Sequence, residues 1–305
     1  MRHASLFDET FSAGQASSYD LLLAPHRHGI DVAVHDGVRK QFIVYHEHRY
    51  PVVDDNEWRD AFRSLLESQP WLAARFRSVR VGWRGRCYTL LPKAFFVPKE
   101  AKLLLNRVSR VAEYDSLYYN RVTDEILLLF AIPSELINTL IQTFSHFTVL
   151  HQETTLLRLG LQQLRRVSCM VAHLSQEFAT ASLFQSGRLL KHTAFDALMP
   201  ADVLYYVAAF LNPLQELESM GRKSRRNKKG GNGPTYKLVG QGLWLDSLPG
   251  AKDEHWLLSS AVSPLVEEYY PRYEHALLPA GHSFAYSLEA HRESAVGLFS
   301  LVVGE

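Results

Sequence analysis

The sequence predicts an α/β protein of two similar lobes, each a mixed sheet whose first three strands are antiparallel and flanked by helices. Two observations lead to this prediction. Three strand-like segments followed by an amphipathic helix begin at residue 19, and the same order returns after residue 165. Between the two copies, buried strand patterns alternate with helical ones. Such a repeat indicates a duplicated unit, with lobes expected at residues 17–160 and 161–305.

The first lobe opens with a predicted meander of three strands. The run from Tyr19 to Ala24 is almost wholly apolar, which is typical of a strand buried on both faces. From Ile30 onward every second residue is apolar, and this period of two predicts a second strand. Asp36-Gly37 predicts a tight hairpin turn, because both residues tolerate a positive φ. The segment RKQFIVYHEHRY is the third predicted strand.

The rest of the first lobe mixes helices with short strands. Asp54-Asp55 can cap a helix whose apolar residues from Trp58 to Leu66 fall on one face. VRVGW and CYTLLP predict short strands, whereas residues 98–124 are weakly patterned. EILLLFAIP predicts a buried strand, Pro133-Ser134 opens a helix with an apolar stripe from Leu136 to Phe144, and FTVLH and QETTLLRLGLQQL predict a strand and a helix.

The second lobe repeats the plan. RVSCMVA, FATASLF and RLLKHTAF predict three strands, and Pro200 begins an amphipathic helix. Residues 221–234 are basic and rich in glycine, so they predict a flexible loop that cannot form a core. YKLVGQG then predicts a strand, and ESAVGLFSL near the end predicts a helix.

Composition excludes several classes of protein. With 47% hydrophobic residues the chain can form a full core, and a net charge of +1 gives no overall attraction to nucleic acid. The two cysteines form no CxxC pair, so neither a disulfide framework nor a zinc site is predicted. No apolar run approaches the roughly 18 residues of a membrane span, and the start resembles no signal peptide. We therefore expect a soluble cytoplasmic protein without membrane insertion.

Three stretches carry a family resemblance: SYDLLLAPHRHGIDVAVHD, AIPSELINTLIQTFSHFTVLHQETTLLR and GRLLKHTAFDALMPADVLYYVAAFL. They resemble an uncharacterised bacterial family, domain of unknown function 3822 (DUF3822). The order of the middle elements and the segment SAVGLFSL also resemble the actin-like proteins of type IV pilus and type II secretion platforms. The resemblance implies an actin-like ATPase fold of the ribonuclease-H-like type. It carries no activity, because the family has none assigned.

The resemblance also implies where a nucleotide would bind. In active actin-like ATPases the first hairpin turn of each lobe holds phosphate, using glycine for close approach and an aspartate for magnesium-bound water. Here the first turn is Ala24-Pro25-His26-Arg27-His28-Gly29, without a carboxylate, and Pro25 lacks an N–H. The second is Ala172-His173-Leu174-Ser175-Gln176-Glu177, without a glycine. Gly240 and Gly242 do follow a predicted strand on the adenine side.

These comparisons define a candidate interlobe cleft. Its expected members are His26, Arg27, His28, His173, Ser175, Gly240 and Gly242. His26 and His28, like His46 and His48, have the His-x-His spacing that can bind zinc. We favour solvated histidines and predict no metal site, because no cysteine or carboxylate completes a ligand pattern. The basic residues from Arg222 to Lys229 could attract nucleic acid, but without interleaved aromatic residues we favour a solvated insertion.

Two functional hypotheses follow. The first is a pseudo-ATPase: a non-catalytic actin-like scaffold or adaptor that binds an unknown protein partner, since both phosphate turns have lost the needed residues. The alternative is a nucleotide-dependent ATPase or switch with an altered phosphate site built on Arg27. We predict no catalytic residue and no cofactor, while Arg27 leaves weak nucleotide binding open.

Overall fold

The computed structural model describes residues 5–163, 168–174, 178–185, 187–196, 202, 205–206, 209, 235–240, 273–275, 280–291 and 296–303. The predicted loop at 221–234, and most of the helix predicted from Pro200, lie outside these described residues. The chain divides into two compact units. The first comprises residues 1–159, 278–292 and 297–305, and the second comprises 160–277 and 293–296. Among the described helices, none has the length and apolar character needed to cross a bilayer.

The elements up to residue 163 follow the predicted order, with additions. They are β1 (Ser5–Phe7), β2 (Tyr19–His26), β3 (Gly29–Asp36), β4 (Gln41–Arg49), α1 (Trp58–Ser68), β5 (Ser78–Trp83), β6 (Tyr88–Pro92), α2 (Ala101–Asn106), β7 (Asp115–Arg121), β8 (Ile126–Pro133), α3 (Ser134–Thr143), β9 (Thr148–His151) and α4 (Gln152–Gln163). The second unit adds β10 (Ser168–Leu174), β11 (Ala179–Gln185), β12 (Arg188–Phe195), β13 (Thr235–Gly240) and β14 (Tyr273–His275). Two further elements are β15 (Ser283–Phe284) and α5 (Val296–Phe299).

The main sheet of the first unit has the order β1-β4-β3-β2-β5-β9, with β15 paired to β4. The pairs β2–β3 and β3–β4 are antiparallel, as predicted, whereas β2–β5 and β5–β9 are parallel. All eight residues of β3 are buried, so both faces of the central strands are covered. The turn between β3 and β4 is longer than Asp36-Gly37 predicts. It spans residues 37–40, and Lys40 rather than Gly37 takes the positive φ, at 54°.

The α1 helix forms where its sequence predicts. Asp54 accepts a hydrogen bond from the N–H of Asn56, and the Glu57 carboxylate accepts from the N–H of Asp54, which completes a capping box on the 3-10 turn Asp55–Glu57 that leads into α1. Trp58 is fully buried and packs edge-on against Trp83 of β5, with ring centroids 5.9 Å apart. The apolar face of α1 therefore covers one face of the sheet.

A second sheet occupies the middle of the first unit. Its order is β6-β8-β7, and both pairs are antiparallel. The α2 helix packs Leu105 against Leu129 and Ala131 of β8 in a small core of its own. Both α2 and β7 lie within residues 98–124, for which the sequence predicted no element.

The C-terminal segment corrects the predicted lobe boundaries. The second lobe was expected to reach residue 305, but residues 278–292 and 297–305 belong to the first unit. The physical reason is apolar packing: the Phe299 ring lies 4.7 Å from that of Phe42, and Leu301 contacts Gly82 so closely that a Cβ there would clash. Arg80 also donates hydrogen bonds to the carbonyls of Leu301 and Val302.

The second unit has a sheet of order β12-β11-β10-β13-β14. Its first three strands are antiparallel, and β13 and β14 then add in parallel. This is the order of β4-β3-β2-β5-β9 in the first unit. The prediction of a duplicated α/β fold with antiparallel opening strands is therefore confirmed.

Candidate functional site

The carboxyl ends of parallel strands are where open α/β sheets bind ligands. In the first unit, β2, β5 and β9 end side by side at His26, Trp83 and His151. Because β3 and β4 run antiparallel to β2, the start of β3 and the end of β4 lie at the same edge. We call this the carboxyl edge. It contains the first predicted phosphate turn.

The turn after β2 is closed by its own hydrogen bonds. The N–H of His28 donates to Nδ1 of His26 at 3.2 Å, so the protein uses a donor that a phosphate would need. The carbonyls of Arg27 and His28 accept from Val52 and Tyr50. Gly29 has φ of 146°, and a Cβ there would lie 1.9 Å from the carbonyl oxygen of His48. The absence of a side chain at Gly29 therefore allows β4 to approach β3 closely, and this space is not open to a ligand.

Arg27 forms an ion pair inside the first unit. Its Nη1 lies 2.8 Å from Oδ1 of Asp55, the first residue of the 3-10 turn before α1, and both side chains are about 40% exposed. The sequence suggested Arg27 as the group that could hold a phosphate. In the structure its charge is balanced by Asp55.

Asp31 is a buried acid that the sequence prediction missed. It lies on β3 opposite Ala24 of β2 and Glu47 of β4, and its Oδ1 is 3.4 Å from Nε2 of His26. Burial alone would raise the pKa of Asp31, but the charge and hydrogen bond of His26 and the charge of Arg49 lower it below its ordinary value. The alternation from Ile30 placed Asp31 on one strand face, but gave no sign that this face is covered.

Two neighbours extend this buried polar cluster along β4. Arg49 donates a hydrogen bond to Oε2 of Glu47 at 2.9 Å, and the Tyr45 hydroxyl donates one to Oε1 of Glu47 at 2.8 Å. Burial, together with the nearby carboxylates of Asp31 and Glu47, raises the pKa of Tyr45 well above its ordinary value. Tyr45 is therefore a hydrogen-bond donor here.

A second buried pair lies at the ends of β5 and β9. Nε of Arg84 is 3.4 Å from Oε1 of Glu153, and both side chains are at most 3% exposed. His151 supports this pair: its Nδ1 accepts from the N–H of Glu153, and its Nε2 lies 2.9 Å from the carbonyl oxygen of Gly85. The available sequence signal was the polar run HQETT directly after a buried strand.

The remaining predicted residues belong to the second unit. His173 is the penultimate residue of β10 and is buried, while Gly240 ends β13 beside Leu174 in the parallel register. The structure thus brings His173 and Gly240 to neighbouring strand ends. Ser175 and Gly242 lie outside the described residues. Within the described ranges, no group of three or more His, Cys, Asp or Glu side chains is placed to bind a metal ion.

The carboxyl edge is self-paired, by which we mean that basic side chains there contact carboxylates of the same unit. In the described part of this edge, four basic side chains each face a carboxylate of the same unit: His26–Asp31, Arg27–Asp55, Arg49–Glu47 and Arg84–Glu153. The carboxylates of Asp31, Asp55, Glu47 and Glu153 are thus each held next to one of these four basic side chains.

Comparison with solved structures supports the fold. A protein of actin-like ATPase fold and unknown function from Bacteroides thetaiotaomicron has a TM-score of 0.71 at 13% identity, covering 97% of this chain and 100% of its own. A protein of the PilM–PilN type IV pilus biogenesis complex has a TM-score of 0.54 at 13% identity, covering 94% and 98%. The cytoplasmic domain of EpsL from the Vibrio cholerae type II secretion system scores 0.42 at 13% identity, covering 93% and 96%.

The likenesses to the Bacteroides thetaiotaomicron protein and to the protein of the PilM–PilN complex establish an actin-like fold, as the sequence predicted. No curated protein matches the chain. The model of the protein family of unknown function DUF3822 matches residues 8–217, more than half of the sequence. This protein is therefore a member of the DUF3822 family, with the fold of an actin-like ATPase.

Proposed function

We propose that this protein is a non-catalytic actin-like scaffold or adaptor that acts in the cytoplasm by binding a partner protein. The observation that supports it most directly is the self-paired carboxyl edge, where His26, Arg27, Arg49 and Arg84 each face a carboxylate. An ATPase needs hydrogen-bond donors and cations that are available to its phosphates. Here the His28 N–H and these four basic side chains contact other groups of the same chain.

Magnesium chemistry gives the second support. Mg²⁺ prefers near-octahedral oxygen ligands and usually keeps several waters, so it needs an accessible carboxylate. Asp31 is the carboxylate nearest the phosphate turn along β3, but it is buried against His26 and Arg49. A magnesium ion would have to displace these groups at a considerable desolvation cost.

A protein partner is the third part of the proposal. The solved pilus relative was determined as a complex of PilM with PilN, so an actin-like protein of similar fold forms a complex with another protein. Fold does not fix function, and we take this likeness as support for the class of activity alone.

The test is nucleotide binding and steady-state hydrolysis by the purified full chain. We expect no magnesium-dependent ATP turnover in the wild type, Arg27→Ala or His173→Ala. Titration with ATP, ADP and GTP, with and without magnesium, measures binding separately. If pairing with carboxylates is what excludes phosphate, Asp55→Asn should bind ATP more tightly than the wild type, because it removes the negative charge beside Arg27.

The opposite outcome would favour the nucleotide-switch alternative. Magnesium-dependent turnover in the wild type that disappears in Arg27→Ala or His173→Ala would overturn the scaffold proposal. Arg63→Ala is a suitable control, because Arg63 is an exposed arginine of α1 paired with Asp60.

A further inference from the structure

A groove lies at the other end of the first unit's sheet, where β5 and β9 begin. It has a volume of about 500 Å³ and is lined by Ala73–Val79 and Thr143–Thr148. We infer that this groove binds an extended acidic peptide segment of the partner protein. The inference rests on the proposed binding function and adds its location and the chemistry of the partner.

The charge of the groove is of one sign. Its lining includes Arg75, Arg77 and His146, and none of the thirteen lining residues, all of them described, is Asp or Glu. Arg77 is held by Asp20, whose Oδ1 accepts from Nε at 2.9 Å, so its position is fixed and its charge is shared. Arg75 is exposed and provides the positive charge available to a ligand, and the exposed His146 imidazole can donate a hydrogen bond to a carboxylate. Such a lining attracts carboxylates and repels basic segments.

The main chain of the groove suits an extended ligand. The β5 strand begins at Ser78, but its pairing with β9 begins only at Arg80 opposite Thr148. Ser78 and Val79 therefore border the groove where β9 has not yet started. Main-chain groups of consecutive strand residues point to alternate sides, so one of these two residues directs its groups toward the groove. An added peptide strand can use such groups.

Aromatic side chains provide the apolar part of the lining. Phe76 and Phe144 are almost buried, and Phe147 is half-buried beside them. In an extended peptide, alternate side chains point to opposite sides. A segment that alternates acidic with apolar residues can therefore direct carboxylates to Arg75 and His146 and apolar groups to the phenylalanines.

The experiment uses fluorescence anisotropy on the full chain. The probe is a short fluorescein-labelled peptide of glutamates interrupted by two phenylalanines, and the comparison peptide has lysines in place of the glutamates. We expect the acidic peptide to bind and the basic one not to bind. Arg75→Glu and His146→Glu should each weaken binding by about tenfold. Both side chains are exposed, and melting curves verify that the variants are folded.

Arg63→Glu is the matched control, because it makes the same charge reversal on exposed α1 outside the groove. It should leave binding within about twofold of the wild type. Three outcomes would each overturn the inference. The acidic peptide does not bind the wild type, Arg75→Glu binds it as tightly as the wild type does, or Arg63→Glu weakens binding as much as Arg75→Glu does. If the peptide does not bind and no ATP is hydrolysed, the inference about the groove is refuted and the scaffold proposal is not. If the peptide binds and ATP hydrolysis depends on magnesium, the inference about the groove is supported and the non-catalytic proposal is refuted.

Discussion

Asp20 and Asp31 are buried carboxylates that remain ionised because the chain supplies cationic partners. Burial would raise the pKa of Asp20, but hydrogen bonds from His35, Arg77 and Ser78 lower it well below its usual range. At Asp31 the equivalent partners are His26 and Arg49. Each carboxylate lies at one end of the central strands. Each end of the sheet therefore carries a buried carboxylate that is held by partners from neighbouring strands, although Arg77 itself is 44% exposed.

A chain of two histidines leads from Asp20 toward the C-terminal segment. Nδ1 of His35 lies 3.4 Å from Asp20, and its Nε2 lies 2.9 Å from Nδ1 of His282. One ring must donate and the other accept in this contact, so protonation of both rings would set two N–H groups against each other. Burial and the charges of His35 and Lys40 accordingly lower the pKa of His282 below its ordinary value of 6.5.

We predict that this contact makes stability depend on pH. As pH falls, the unfolded chain protonates His282 near 6.5, while the folded state resists until a lower pH. The unfolded state then binds more protons, so the stabilisation is present above about pH 6.5 and is lost as pH falls through the folded pKa. Urea unfolding should show that the free energy of unfolding falls more between about pH 7.5 and pH 5.5 for the wild type than for His282→Gln, which cannot titrate at this position. Equal losses would refute the prediction, since Asp20 and Lys40 remain in both proteins.

At the scale of elements, the β2–β3 hairpin depends on Gly29. We predict that Gly29→Ala lowers the free energy of unfolding by at least about 2 kcal/mol, because it combines a strained φ with a clash at the His48 carbonyl. Gly14→Ala is the matched control: its Cβ would lie 3.8 Å from the Ser12 hydroxyl, and its effect should stay under about 0.5 kcal/mol. Urea denaturation measures both, and similar values would show that the hairpin tolerates the side chain.

Elements with strong local patterns could be predicted from the sequence. The apolar run of β2, the apolar face of α1 and the capped turn before α1 were found because burial and capping act through near neighbours in the chain. The short strand β1 was missed, because it is an edge strand stabilised by pairing with distant β4. In β7, residues from Asp115 to Asn120 are mostly half-buried, so no clear alternation reveals the strand.

The position of the candidate site could be predicted from the sequence, but the pairing of its basic side chains with carboxylates could not. A turn after the first strand could be placed at the carboxyl edge from the predicted order of strands. The contacts of His26 with Asp31 and of Arg84 with Glu153 depend on tertiary packing between elements, which local patterns do not encode. Asp31 was overlooked because alternation usually indicates a solvated strand face, and here both faces are covered.

At the scale of the whole molecule, the first unit depends on residues from the end of the chain. Phe299 is fully buried, and its ring contacts those of Phe42, Phe284 and Tyr45. We predict that Phe299→Ala destabilises the protein by about 3–5 kcal/mol, as for other buried aromatic truncations. Tyr286→Ala, at a side chain that is 98% exposed, should change stability by less than about 0.5 kcal/mol. Comparable melting temperatures for the two variants would contradict this assignment.

The position of α5 and β15 in the first unit has a consequence for synthesis on the ribosome. Residues 1–159 emerge first, yet the segments that complete their packing are made about 140 residues later. At translation rates of about 5–20 residues per second, this delay is roughly 7–30 s. During that interval Phe42 and Gly82 lack the Phe299 and Leu301 side chains that later cover them. Until residues 297–303 have been made, the first unit therefore exposes the apolar surface around Phe42 and Gly82.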